Sequence, residues 1–151
     1  MRPGPIDPES LMCALVLAPR TFSRNRFFSL YEDPLVRRAW RRAARIRGIV
    51  RQMSEDGGRA SEIVGEQVLD DGRHLIRYRV AHLKFVRTTA LSRLEAALLR
   101  YALHRVLSQA LDPADRRQVE EALARLGAGL TIAGEPIMPD PLLPNGCSRR
   151  P

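Results

Sequence analysis

Residues 61–87 read SEIVGEQVLDDGRHLIRYRVAHLKFVR, and this stretch decides the fold class. Ser61 to Leu69 and Arg73 to Arg87 carry the composition of strands, and Asp70-Asp71-Gly72 between them is a hairpin signal. In the second stretch Ile76, Tyr78 and Val80 alternate with Arg77, Arg79 and Ala81, the period-two pattern of a strand with one inward face. Beyond it the phase shifts so that Leu83 and Phe85 become the apolar-facing residues. That shift predicts a bulge or bend near Ala81-His82 within one long strand.

Helical patterns lie on both sides of the hairpin. Asp33-Pro34 supplies an N-cap aspartate and a proline at the first helical position. The helix predicted from there runs to about Met53, where Ser54 and Gly57-Gly58 end it. At 100° per residue, Leu35, Ala39, Ala43, Ile46, Val50 and Met53 share one face; Arg37, Arg38, Arg41, Arg42 and Arg45 share the opposite one. A second helix is predicted over Ala90 to Leu111, apolar around most of its circumference, with a polar strip of Arg93, Arg100 and His104. Asp112-Pro113 repeats the cap signal, and a third helix follows with Val119, Ala122, Leu123 and Leu126 inward and Gly127 as its stop.

Further out, Leu11 to Leu17 is a continuous apolar run before Ala18-Pro19, of a length that suits a buried strand. Leu130 to Ala133 reads as a last short strand. The predicted class is therefore α+β: a small antiparallel sheet of three or four strands packed against two or three helices. The order of elements matches a ferredoxin-like β-α-β-β-α-β series with one added helix. Residues 1–10, with three prolines and a glycine, read as a flexible arm, residues 11–133 as a single domain, and residues 134–151 as a Pro-rich disordered tail.

Charge is distributed unevenly. Between Arg20 and Arg51 there are ten arginines against Glu32 and Asp33, a surplus equal to the net charge of +8 on the whole chain. The remainder is balanced. No acidic residue occurs from Leu35 through Ser54, so the i,i+4 arginine pairs of the helix repel without local relief, by roughly 0.2–0.5 kcal/mol each. An unrelieved stripe of this kind suggests an anionic counterpart. Against that stands composition: Lys84 is the only lysine, the bias that a GC-rich, bacterial-type coding sequence gives without selection for guanidinium chemistry. Arg24 and Arg26, interleaved with Phe22, Phe27, Phe28 and Tyr31, have the composition of a stacking-and-phosphate surface, or of aromatics packed beneath the helix.

Enzymatic readings find little to stand on. His74, His82 and His104 have no carboxylate or cysteine at a recognised ligand or triad spacing, so neither a catalytic set nor a metal site is expected. No Gly-rich phosphate loop follows a strand, and no cofactor is implied. Glu95 falls on the apolar side of the second helix and calls for a partner, Arg105 or an arginine of the hairpin. The basic-Gly-aromatic run of a ferredoxin-like RNA-binding module is missing from Arg77 to Leu83. Two cysteines, Cys13 and Cys147, make no disulfide framework.

No apolar run approaches the roughly 18 residues of a membrane span, and a cytoplasmic location is expected. The expected function is non-enzymatic: an Arg-faced helix, with Arg37, Arg38, Arg41, Arg42, Arg45, Arg24 and Arg26, that engages a polyanion, nucleic acid foremost. The alternative is an adaptor or assembly subunit docking on an acidic or self-complementary protein surface. An edge of so small a sheet also offers a route to a homodimer.

Overall fold

Three Asp-Pro dipeptides each begin a helix, and each does so with the same hydrogen bonds. The computed structural model describes residues 7–17, 33–55, 61–80, 85–129, 131–132 and 135–136. Helix α1 spans Pro8–Leu17 and helix α2 Pro34–Ser54. Helix α3 spans Arg93–Leu107 and helix α4 Pro113–Gly129. In α1, α2 and α4 the aspartate before the proline accepts, on its side chain, the backbone N–H two residues on: Glu9 at 3.0 Å, Leu35 at 2.8 Å and Ala114 at 2.8 Å. Its carbonyl accepts the N–H four residues on, from Leu11, Arg37 and Arg116 respectively. Proline fits the first helical position because its missing N–H would have no intrahelical partner there.

Helix α1 corrects the sequence reading. Leu11–Leu17 was expected as a strand and is a helix, and Pro8 to Ser10, expected in a flexible arm, form its first turn. Ser10 and Leu11 to Leu15 are all buried. A segment buried on every side shows no periodicity, so the apolar run alone could not separate strand from helix. Asp7-Pro8 is the signal that does.

The chain divides into two compact units, residues 1–44 with 119–151, and residues 45–118. In the first, Leu11, Met12, Leu15, Val36, Ala39, Ala43, Val119 and Leu123 are buried. It also holds a two-stranded ladder of β4 (Thr131–Ile132) and β5 (Glu135–Pro136). The strand expected at Leu130 to Ala133 is thus present at its centre but belongs to a separate ladder, and Glu135–Pro136 pair with it. Gly127 does not stop α4, which continues to Gly129.

The second unit contains the hairpin. Strands β1 (Glu62–Val68), β2 (His74–Val80) and β3 (Phe85–Leu91) form an antiparallel sheet in the order β1-β2-β3. Gly72, at φ +87°, closes the β1–β2 turn; its N–H reaches the Leu69 carbonyl at 2.9 Å, and the Leu69 N–H reaches the Arg73 carbonyl at 2.8 Å. Only glycine takes that φ without cost. The register of β1 slips between Ile63 and Gly65, leaving Val64 as a bulge. From His74↔Leu91 to Val80↔Phe85 the β2–β3 register is unbroken.

Ile76, Tyr78 and Val80 are buried and Arg77 and Arg79 exposed, as the alternation predicts. The long second strand is a correction. Its downstream part is β3, antiparallel to β2, and it continues through Leu91 where a helix was expected to have begun. The bend expected near Ala81-His82 lies outside the described residues. Phe85, expected inward, is 50% exposed.

Helix α3 packs on β2 and β3. It buries Glu95, Ala96 to Leu99 and Tyr101 to Leu103. It ends at Leu107, not at Leu111, capped by Ser108 in the left-handed region with its N–H on the His104 carbonyl. The class is α+β. With α1 in place of a leading strand, the ferredoxin-like order is not found among the described residues. None of the described helices is long and apolar enough to cross a membrane.

Candidate functional site

Helix α2 presents the arginines, and its inward face is set by residues that alternate three and four apart. Val36, Ala39, Ala43, Ile46, Ile49 and Met53 are buried. Ala39, Ala43, Ile46 and Met53 are residues of the expected face, Val36 and Ile49 are added at its flanks, Val50 is only half-buried, and Leu35 in the first turn is 41% exposed. On the far side Arg38, Arg41 and Arg45 are exposed, and Arg37 and Arg42 are half-buried.

Five arginines on one face are not five equivalent cations. Arg42 grips Glu9 of α1 with both guanidinium nitrogens, Nη1 to Oε1 at 2.6 Å and Nη2 to Oε2 at 3.2 Å. Such two-pronged pairing fixes geometry as well as charge, and it ties α1 to α2 inside the first unit. Arg45, in the second unit, donates from Nη2 to the hydroxyl of buried Thr89 at 2.7 Å. A hydroxyl orients the guanidinium without neutralising it. Arg37, Arg38 and Arg41 have no hydrogen bond or ion pair among the described residues. At 1.5 Å and 100° per residue they lie within about 6 Å along the axis and an arc of about 100°. Arg24 and Arg26, with the aromatics around them, lie outside the described residues.

Comparison with protein-family models, curated proteins and solved structures finds no match to the chain. The site is therefore read from its own geometry.

A second constellation, missed in the sequence, sits in the second unit. Arg100 of α3 donates to Glu66 of β1 and to Asp115 of α4, the latter through Nε at 2.6 Å and Nη2 at 3.2 Å. The other oxygen of Glu66 meets His74 Nδ1 at 2.6 Å. Burial works against the Arg100 charge, but the hydrogen bond and attraction of Asp115, with those of Glu66, raise its pKa above the ordinary value. No local motif pairs residues this far apart; the hairpin register and the α3–α4 turn bring them together. Gln109 donates to the Ser61 carbonyl at 3.1 Å, and the two line an open cleft of about 510 Å³ with Arg100. Arg100 bridges both carboxylates, which is the arrangement of a structural clasp.

Glu95, the carboxylate that called for a partner, closes the cap of α3. Its side chain accepts the Ser92 N–H at 2.7 Å, and the Ser92 hydroxyl accepts the Glu95 N–H at 3.1 Å. This capping box is written in the sequence as Ser92-Arg93-Leu94-Glu95, a local signal distinct from the charged partner expected for Glu95. Among the described residues, no three metal-ligating side chains cluster.

Proposed function

We propose that the chain is a cytoplasmic, non-enzymatic binding protein that engages a polyanion, nucleic acid foremost, through Arg37, Arg38 and Arg41 of α2. One observation carries the reading. Relief by carboxylates elsewhere in the fold was the plain alternative for the arginine face; among the described residues a carboxylate reaches Arg42 and none reaches Arg37, Arg38 or Arg41. Three guanidinium groups are left close together and exposed or half-buried, with like charges adjacent. Phosphates spaced along a strand relieve that repulsion, and guanidinium matches phosphate in two-pronged geometry. Arg42 and Arg45, named with them from the sequence, act in this reading as supports of the fold.

The test is binding of fluorescently labelled oligonucleotides, single-stranded and duplex, to the protein and to the R37A/R38A/R41A variant. The variant is expected to lose about tenfold or more in affinity at low salt with an unchanged circular dichroism spectrum. Equal affinity in the two proteins would sink the proposal. A second reading, association of two copies through a sheet edge, is favoured by the exposure of Phe85 and Val86 at the start of β3.

A further inference from the structure

We propose that two copies of the chain pair through the edge of β3, antiparallel, with the two-fold axis at Val86. The inference rests on the sheet-edge reading and names the edge, the register and the occupant.

The sheet order leaves two edges, β1 and β3, with no further strand beside either among the described residues. They differ in how well they are guarded. The β1 edge carries the bulge at Val64, and bulges disrupt the row of groups that a new strand must meet. It also carries two carboxylates already in use, Glu62 on Arg79 and Glu66 on His74 and Arg100. Pairing β1 with its copy would bring those acids together. The β3 edge has none of these devices. Its register with β2 is regular over all seven residues, it contains no proline, glycine, lysine or acid, and its first four residues are exposed.

Chemistry then selects the register. Phe85 is 50% and Val86 39% exposed, side by side on opposite faces of the strand. Antiparallel pairing of a strand with its own copy keeps each face on its own side, because opposed residues point the same way. An axis at Arg87 would oppose two like charges. An axis at Val86 opposes Val86 to its own copy and Phe85 to Arg87 of the second copy. Guanidinium over this ring is already found within one chain, where the Arg87 guanidinium carbon lies 5.4 Å from the Phe85 centroid. The second copy repeats that contact twice and covers both exposed apolar side chains.

Light scattering on the wild-type protein and on Val86→Lys, with circular dichroism as the check on folding, tests the edge. The expected result is a dimeric mass for wild type and a monomeric one for a folded Val86→Lys. Disulfide capture tests the register. Opposed antiparallel residues lie about 4.5–5.5 Å apart at Cα, inside the disulfide range. Val86→Cys in a Cys147→Ser background is therefore expected to oxidise to a covalent dimer, while Gln67→Cys on β1 stays monomeric. A monomeric wild type at the highest soluble concentration overturns both this inference and the sheet-edge reading. A dimer that survives Val86→Lys and is captured instead through Gln67→Cys overturns the β3 assignment and leaves the sheet-edge reading standing.

Discussion

Glu95 shows how much one side chain can do without chemistry. At 7% exposed it is the one charged residue among the buried polar groups described, and its carboxylate accepts the Ser92 N–H. Glutamine can serve at this position of a capping box and alanine cannot. Glu95→Gln should therefore unfold at nearly the wild-type urea midpoint, and Glu95→Ala should cost about 1 kcal/mol. At the other end of α3, Ser108 sits at φ 58°, ψ 29°, where a side chain is strained. Ser108→Gly should gain about 0.5–1 kcal/mol, read as a higher midpoint at unchanged slope. Cys13 behaves differently again. Burial, with Glu9 nearby, pushes its thiol up to about 12, so the thiolate that reacts is scarce at neutral pH. Alkylation at Cys13 should be slow in the native protein and become rapid in denaturant; fast native labelling, located by mass spectrometry, would contradict its burial.

At the scale of elements, helix α1 is the place where local and periodic signals disagreed. The hairpin was legible because turn chemistry and alternation are both local: Asp70-Asp71-Gly72 closes it, and Ile76, Tyr78 and Val80 point inward. The arginine face of α2 was legible for the same reason. Leu11–Leu17 was not, since its surroundings bury every side and erase the period. Likewise the reversal from β2 to β3 read as one bent strand, because apolar residues continue on both sides of it. The ion pairs of Arg42 and Arg100 depend on packing and leave no local trace.

Asp7 holds α1 by three contacts: it caps the helix, accepts the Ser10 hydroxyl at 2.8 Å and takes Arg125 Nε of α4 at 2.7 Å. Its partial burial alone would raise its pKa, but the hydrogen bonds from Arg125, Ser10 and the Glu9 N–H prevail and lower it below the ordinary 3.8. A carboxylate depressed by folding stabilises fully above its unfolded pKa and loses that contribution as pH falls through the folded value. Asp7→Asn keeps the cap but not the charge. The gap in unfolding free energy between wild type and Asp7→Asn should thus be steady at pH 5–7 and close below about pH 4. A gap that widened on acidification would reverse the sign of the argument.

For the whole molecule the decisive quantity is how many of its positive charges meet phosphate. A net charge of +8 draws any polyanion weakly, so affinity alone cannot separate a site from a general attraction. The salt dependence can, because each neutralised phosphate releases counterions in fixed proportion. Had all seven arginines named from the sequence made contacts, the slope of log K against log salt would be about −6 on duplex and −5 on single strands. With Arg42 spent on Glu9, and Arg37, Arg38 and Arg41 as the contacting set, it should be near −3 and −2. Removing those three should flatten it almost completely. Arg93, Arg105 and Arg117 are exposed arginines outside α2, and R93A/R105A/R117A lowers the net charge by the same amount. If that control flattens the slope as far as R37A/R38A/R41A does, attraction follows net charge and α2 is no site. A slope kept near −3 on duplex in the control and lost in the α2 variant places the contacts on Arg37, Arg38 and Arg41.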